Sequence, residues 1–187
     1  NGQRGLNENL AREILELHTV GIEAGYSQAD VTEFARALTG FSLGKETDDR
    51  AGQFVFRDNI HEPGARVILG KTYKSGDLDQ GLAVLKALAA HPATARHLSF
   101  KIARHFVADD PPPALVARLE ARWIKSGGRL DQVARELVLS PEAWDPAASK
   151  FKTPYEFLIS SWRLIGAQPS AYERITVPLI GLAQRGF

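Results

Sequence analysis

Helix punctuation constrains this chain more than any other feature. Apolar residues recur at helical spacing in segment after segment, and the segments are bounded by residues that start or stop helices. Ser27 and Asp30 form an S-x-x-D start, and Thr153-Pro154-Tyr155-Glu156 supplies an N-cap, a proline at the first helical position and a glutamate at the third. His91-Pro92, Ser126-Gly127-Gly128 and Ser140-Pro141 end one helix or open the next. Between these marks lie Val31, Phe34, Ala35 and Leu38, then Leu78, Leu82, Leu85 and Leu88. Leu98, Ile102 and Phe106 follow, with Ala95 and Ser99, then Leu115, Leu119 and Trp123, and then Val133, Leu137 and Val138. Phe157, Leu158, Trp162 and Ile165 continue the last helix, on which Tyr155, Trp162 and Trp144 are expected to pack.

The pattern predicts a mainly α fold of six or seven helices in one domain over residues 1–187. A β-hairpin insertion is expected at 52–74. Its strands would be Phe54-Val55-Phe56 and Val67-Ile68-Leu69, turned by Pro63-Gly64.

The first helix, residues 7–20, raises a separate question. At about 100° per residue, Leu10, Ile14 and Leu17 share a face, Ala11 and Leu15 flank it, and His18 falls in its middle. The spacing predicts that this rod docks through its leucine side with His18 in the core. Asn7 or Asn9 can cap the helix, and Glu8–Arg12 and Arg12–Glu16 are i,i+4 pairs.

Composition narrows the function classes. The 187 residues carry a net charge of +1, with 44% hydrophobic and 24% charged residues. That balance offers no bulk attraction to nucleic acid, and no apolar run is long enough for a transmembrane segment. Cysteine is absent, which excludes disulfides and thiolate chemistry here. The sequence lacks phosphate-loop, dinucleotide, nucleophile-elbow and EF-hand signatures.

Two stretches have the residue types of a site. In the first helix Glu8, Glu13 and Glu16 are candidate acid/base groups, with Asn7, Asn9, Arg12 and His18 as binding residues. The alternative is capping, surface pairing and a core histidine bonded to a carbonyl. The second is His61-Glu62-Pro63-Gly64. A histidine beside a glutamate can act as catalytic partner or hold a metal or a polar ligand, so His61 is a catalytic candidate, Glu62 a binding residue, and both are the metal-ligand candidates. Ala65 stands where a zinc protease has its second histidine. The structural alternative is a turn shaped by Pro63 and Gly64. His97, Lys101 and His105, with Arg96 and Arg104, read either as an anion patch or as a solvated helix face, as do Arg118, Arg122, Lys125 and Arg129.

NENLAREILELHTVG, GYSQADVTEFARALTGF, HEPGARVILGKTY, HPATARHLSFKIARHFV and SPEAW followed by KFKTPYEFLISSWRLIGA occur in that order. Together they resemble the large bacterial family catalogued as domain of unknown function 1800. The resemblance implies a helical bacterial protein, matched over its C-terminal portion, whose N-terminal region is missing from this chain. It also implies export to the periplasm or beyond, with the cytoplasm as the alternative, and an exported module would have an envelope protein as a partner. It supplies no activity, cofactor or catalytic residues.

Two functions stand as expectations. One is an exported binding or scaffold module acting with its N-terminal half. The other is a hydrolase-like enzyme with a glutamate–histidine site between the first helix and the HEPG turn.

Overall fold

A computed structural model describes residues 5–47, 49–147, 150–166 and 173–181. Among them the architecture is mainly α, with eight α-helices and two small antiparallel sheets of two strands each. Helix α1 (Glu8–Glu13) runs into a π-helical turn, Ile14–His18, and α2 spans Gln28–Ala37. Strands β1 (Phe41–Leu43), β2 (Phe54–Phe56), β3 (Arg66–Ile68) and β4 (Lys71–Tyr73) follow. The remaining helices are α3 (Leu78–Ala89), α4 (Pro92–Phe106), α5 (Pro113–Ser126), α6 (Leu130–Leu139), α7 (Pro154–Leu164) and α8 (Glu173–Gly181).

The caps form as the sequence predicts. Asn7 accepts from the Leu10 N–H, and Ser27–Asp30 and Thr153–Glu156 close reciprocal capping boxes. His91 caps α4 through Nδ1, which accepts from the Ala93 N–H at 3.1 Å, with Pro92 in the first turn. Gly127 takes the left-handed conformation that ends α5.

Two apolar cores result. The first joins α1, α2, α3 and the β3–β4 hairpin around Leu15, Phe34, Ile68 and Val84. The second joins α4, α5 and α6 around Ala103, Leu115, Leu119 and Val133. The Trp123 indole N–H crosses between them to the Ala89 carbonyl at 3.3 Å.

The buried faces differ from those the leucine spacing predicts. Along α1 and its π turn, Ala11 and Leu15 are fully buried, whereas Leu10 and Leu17 remain 43% and 45% exposed and His18 lies at the surface. The leucine face therefore does not dock as a unit, and His18 is not a core residue. The π turn is the physical reason. It takes more residues per turn than an α-helix, so Leu17 and His18 are displaced from where 100° spacing puts them.

In α3 the buried line is Gln80, Gly81, Val84 and Leu88, while Leu78, Leu82 and Leu85 are half-buried. In α4 it is Thr94, Ala95, Ser99 and Ala103, and Phe106 is exposed. Small residues take the contact lines because they let helix backbones approach, and the larger side chains flank the seams. Val138, Phe157, Ile165, Tyr155 and Trp144 are likewise exposed rather than packed, and Trp162 is half-buried.

The strand pairing also differs. Phe54–Phe56 pairs with Phe41–Leu43, and Arg66–Ile68 pairs with Lys71–Tyr73, so the two expected strands belong to separate hairpins. The β3–β4 turn is made by Leu69 and Gly70, both at positive φ (50° and 70°), as a two-residue type I′ turn requires. A left-handed leucine costs about 1–2 kcal/mol. Its amide donates to Asp30 Oδ1 at 2.6 Å and its side chain packs on the first core, which offsets that cost.

Candidate functional site

The polar residues of α1 turn toward the start of α2. Glu8 accepts from Gln28 Nε2 at 2.9 Å and from the Thr32 hydroxyl at 2.8 Å, and Arg12 donates to Gln28 Oε1 at 2.6 Å. Asn9 donates to Glu13 at 2.9 Å on the exposed side. The Tyr26 hydroxyl donates to Glu16 at 3.3 Å. Burial raises the Tyr26 pKa, and the Glu16 carboxylate raises it further. These contacts fasten α1 to α2 and to the loop between them.

The HEPG segment lies at the other end of α2. His61 Nδ1 is 2.9 Å from the Thr39 carbonyl oxygen, and Nε2 is 3.0 Å from that of Gly76. The Glu62 amide donates to the Thr39 hydroxyl at 2.8 Å. Thr32, which holds Glu8, and Thr39, which holds His61, are seven residues apart, about 10 Å along a helix axis. The structure therefore does not bring His61 together with the α1 glutamates. Both ring nitrogens face backbone oxygens, so a metal would have to displace one of those contacts. Among the described residues no group of three His, Cys, Asp or Glu side chains is arranged to hold a metal ion.

Around the HEPG segment sits a charged cluster that sequence reasoning missed. Arg66, only 8% exposed, donates through Nη2 to the Glu62 and Pro63 carbonyls at 2.8 and 2.9 Å, and its Nη1 lies 3.6 Å from Glu33. Arg36 donates to the other Glu33 oxygen at 2.8 Å and has Nε 3.4 Å from Glu62. Buried Gln80 donates to the Gly64 and Lys74 carbonyls at 2.9 and 2.8 Å. The one available signal was strand alternation, which turns Arg66 and Ile68 inward on β3 and Val67 outward. In chemical terms the cluster holds an irregular loop by satisfying its carbonyls.

Apolar surface is concentrated elsewhere. Leu98, Ile102, Phe106, Trp123 and Leu130 line a cavity of about 390 Å³ where α4 meets α5 and the start of α6, with Lys101 and His105 completing its wall. Farther along the chain, Trp144 (72% exposed), Phe151 (75%) and Leu164 (88%) present large apolar side chains to solvent. Nearby charges are paired. Asp109 accepts from Lys150 Nζ at 2.7 Å and from the Phe151 amide at 3.0 Å, and these bonds, Lys150 first, hold its carboxyl below the usual range. The Thr153 backbone and hydroxyl similarly lower the Glu156 pKa. No described helix is long and apolar enough to cross a membrane.

No curated protein and no solved structure matched the chain. A family match runs over residues 1–185. The chain belongs to the family described as "Protein of unknown function (DUF1800)".

Proposed function

We propose that this chain is a binding or scaffold module, exported from the cytoplasm, that works through the apolar surface of its C-terminal helices. Its partners would be the N-terminal region of its own polypeptide and an envelope protein. The observation that carries the reading is the set of large apolar side chains on and around α4 to α7, of which Trp144, Phe151 and Leu164 are each more than 70% exposed. Large apolar side chains left this exposed favour a partner that excludes water from them. The HEPG segment supports the same reading, because His61 is engaged with the Thr39 and Gly76 carbonyls and the Glu62 carbonyl accepts from Arg66. The hydrolase reading gains nothing from the geometry, since His61 and Glu8 engage opposite ends of α2.

The test is site-specific photocrosslinking in the full-length protein in its host. A benzophenone side chain at Leu164 or Phe151 should give a discrete adduct, and one at Glu46 or Arg50, in the exposed β1–β2 loop, should not. Equal labelling at all four positions, or none, would refute the proposal. Cell fractionation of the same strain checks export, and recovery in the cytoplasm alone would remove that part.

A further inference from the structure

We infer that α4, α5 and α6 move as one body that swings about the α3–α4 corner, and that His97 and Lys101 latch it shut on the turn between α1 and α2. This goes beyond the binding-module reading and does not rest on it.

Apolar packing divides the chain at that corner. No buried residue belongs to both cores, the first drawn from α1, α2, α3 and the β3–β4 hairpin and the second from α4, α5 and α6. The connection is short. α3 ends at Ala89 and α4 begins at Pro92, so only Ala90 and His91 lie between them. The contacts beside this connection suit a pivot. The Thr94 hydroxyl donates to the Leu88 carbonyl at 2.7 Å, and the Trp123 indole donates to the Ala89 carbonyl at 3.3 Å. Ala93, in the first turn of α4, packs on the first core. All three lie so near the connection that a change of angle displaces them little. Two bodies whose apolar packing is concentrated within each, rather than between them, are expected to move relative to one another.

Farther along α4 the contacts with the first half are polar. His97 and Lys101 stand about 8 and 14 Å along the helix axis from Pro92. Gly21 is buried where the π turn ends, donates to the Leu15 carbonyl at 2.9 Å and holds φ at 79°. Its bare Cα makes room for the His97 ring, since a Cβ there would stand 2.8 Å from Nδ1. One turn on, Lys101 Nζ donates to the Leu17 carbonyl at 2.7 Å. Neither contact resists water strongly. Lys101 is exposed, and its ammonium and the carbonyl are both hydrated when they part, so the net worth of the bond is small. His97 Nε2 is shut away from solvent and finds no hydrogen-bond partner among the described residues. The closed form therefore holds an unmet polar atom at the latch, and the open form hydrates it. A joint of this kind opens at low cost, and a partner that binds one arrangement better shifts the balance.

The experiment uses the absence of native cysteine. Spin labels on Glu23→Cys and Asp110→Cys, both exposed, read the distance from the α1–α2 turn to the far end of α4 by double electron–electron resonance. A second pair, Asp110→Cys and Lys125→Cys, lies within the swinging body. Lys101→Met should raise the population at longer Glu23–Asp110 distances roughly fivefold over the parent, the usual worth of one net hydrogen bond. Gly21→Ala should raise it too, because its Cβ meets the His97 ring. The Asp110–Lys125 distance should stay single and unchanged in both variants. Parent-like Glu23–Asp110 distances in either variant would overturn the inference. So would broadening of the Asp110–Lys125 distance, which would assign the change to unfolding of α4–α6 rather than to a swing.

Discussion

Gly81 lies inside α3, where helix propensity and tertiary packing make opposite predictions. By propensity alone Gly81→Ala should stabilise the protein, because glycine in a helix interior is about 1 kcal/mol less favourable than alanine. The structure reverses the sign. A Cβ at Gly81 would lie 2.7 Å from Cε1 and Cζ of Phe41 and 2.8 Å from the Ala37 carbonyl oxygen. Phe41 is held by edge-to-face contacts with Phe54 and Phe56, at centroid distances of 5.3 and 6.0 Å, so its ring has little room to yield. The Ala37 carbonyl belongs to the end of α2 and cannot move without the helix.

Overpacking of this kind costs about 1–3 kcal/mol, and a backbone contact puts the value toward the upper end. Subtracting the propensity gain leaves a net loss of about 1–2 kcal/mol. With a urea slope of about 2 kcal/mol per molar, the denaturation midpoint should fall by roughly 0.5–1 M. In a Phe41→Ala background the same substitution should cost less, with a coupling of at least about 0.5 kcal/mol. A Gly81→Ala protein with a midpoint equal to or above the parent would refute the argument that α2 and α3 meet through the glycine.

Three further outcomes follow from the same geometry. Asp30→Ala should cost about 2–3 kcal/mol at pH 7, from the loss of the Ser27 amide bond that closes the α2 capping box and of the charge-assisted bond to the Leu69 amide. Burial pushes the Asp30 carboxyl up, but the bonds from the Ser27 side chain, the Ser27 backbone and Leu69 together bring it below its ordinary value. Its contribution is therefore complete above the unfolded value of about 3.9 and lost as pH falls through the folded one. The stability gap between parent and Asp30→Ala should narrow from pH 5 to pH 2.5, and a constant gap would contradict the assignment. Arg66→Ala should lose about 3 kcal/mol in urea unfolding, because Glu33 and two loop carbonyls lose their buried partner. His61→Ala should lose about 2 kcal/mol and speed amide exchange at Glu62 and Gly64, leaving α5 and α6 protection unchanged.

The helices were legible because their signals are local. Ser27–Asp30, His91-Pro92 and Thr153–Glu156 act within one turn of backbone, so the residues that read as caps are caps. The β3–β4 hairpin was not legible as such, because its turn uses Leu69-Gly70 where Asn-Gly is the usual signal, and the amide that supports it bonds to Asp30, 39 residues away. The candidate site divides in the same way. The HEPG segment stood out by composition, but the residues that engage it, Thr39, Arg66, Gly76 and Gln80, are recruited from four other places in the chain. The cavity beside α4 was hidden because Phe106 fits the apolar period of a buried face and carries no mark of exposure.

By itself the sequence determined a mainly helical chain, where most of its helices begin and end, and the absence of thiol chemistry, since each of these depends on residue identity and near neighbours. Only the tertiary structure decided which stripe of each helix is buried. It placed Ala11, Gly81 and Ser99 on the contact lines, left Leu10, Leu17 and Phe106 toward water, and kept His61 away from the α1 glutamates. A helix with apolar residues around much of its circumference has several faces of similar hydrophobicity. Which one is buried is settled by how closely backbones can approach, and that is a property of two helices together.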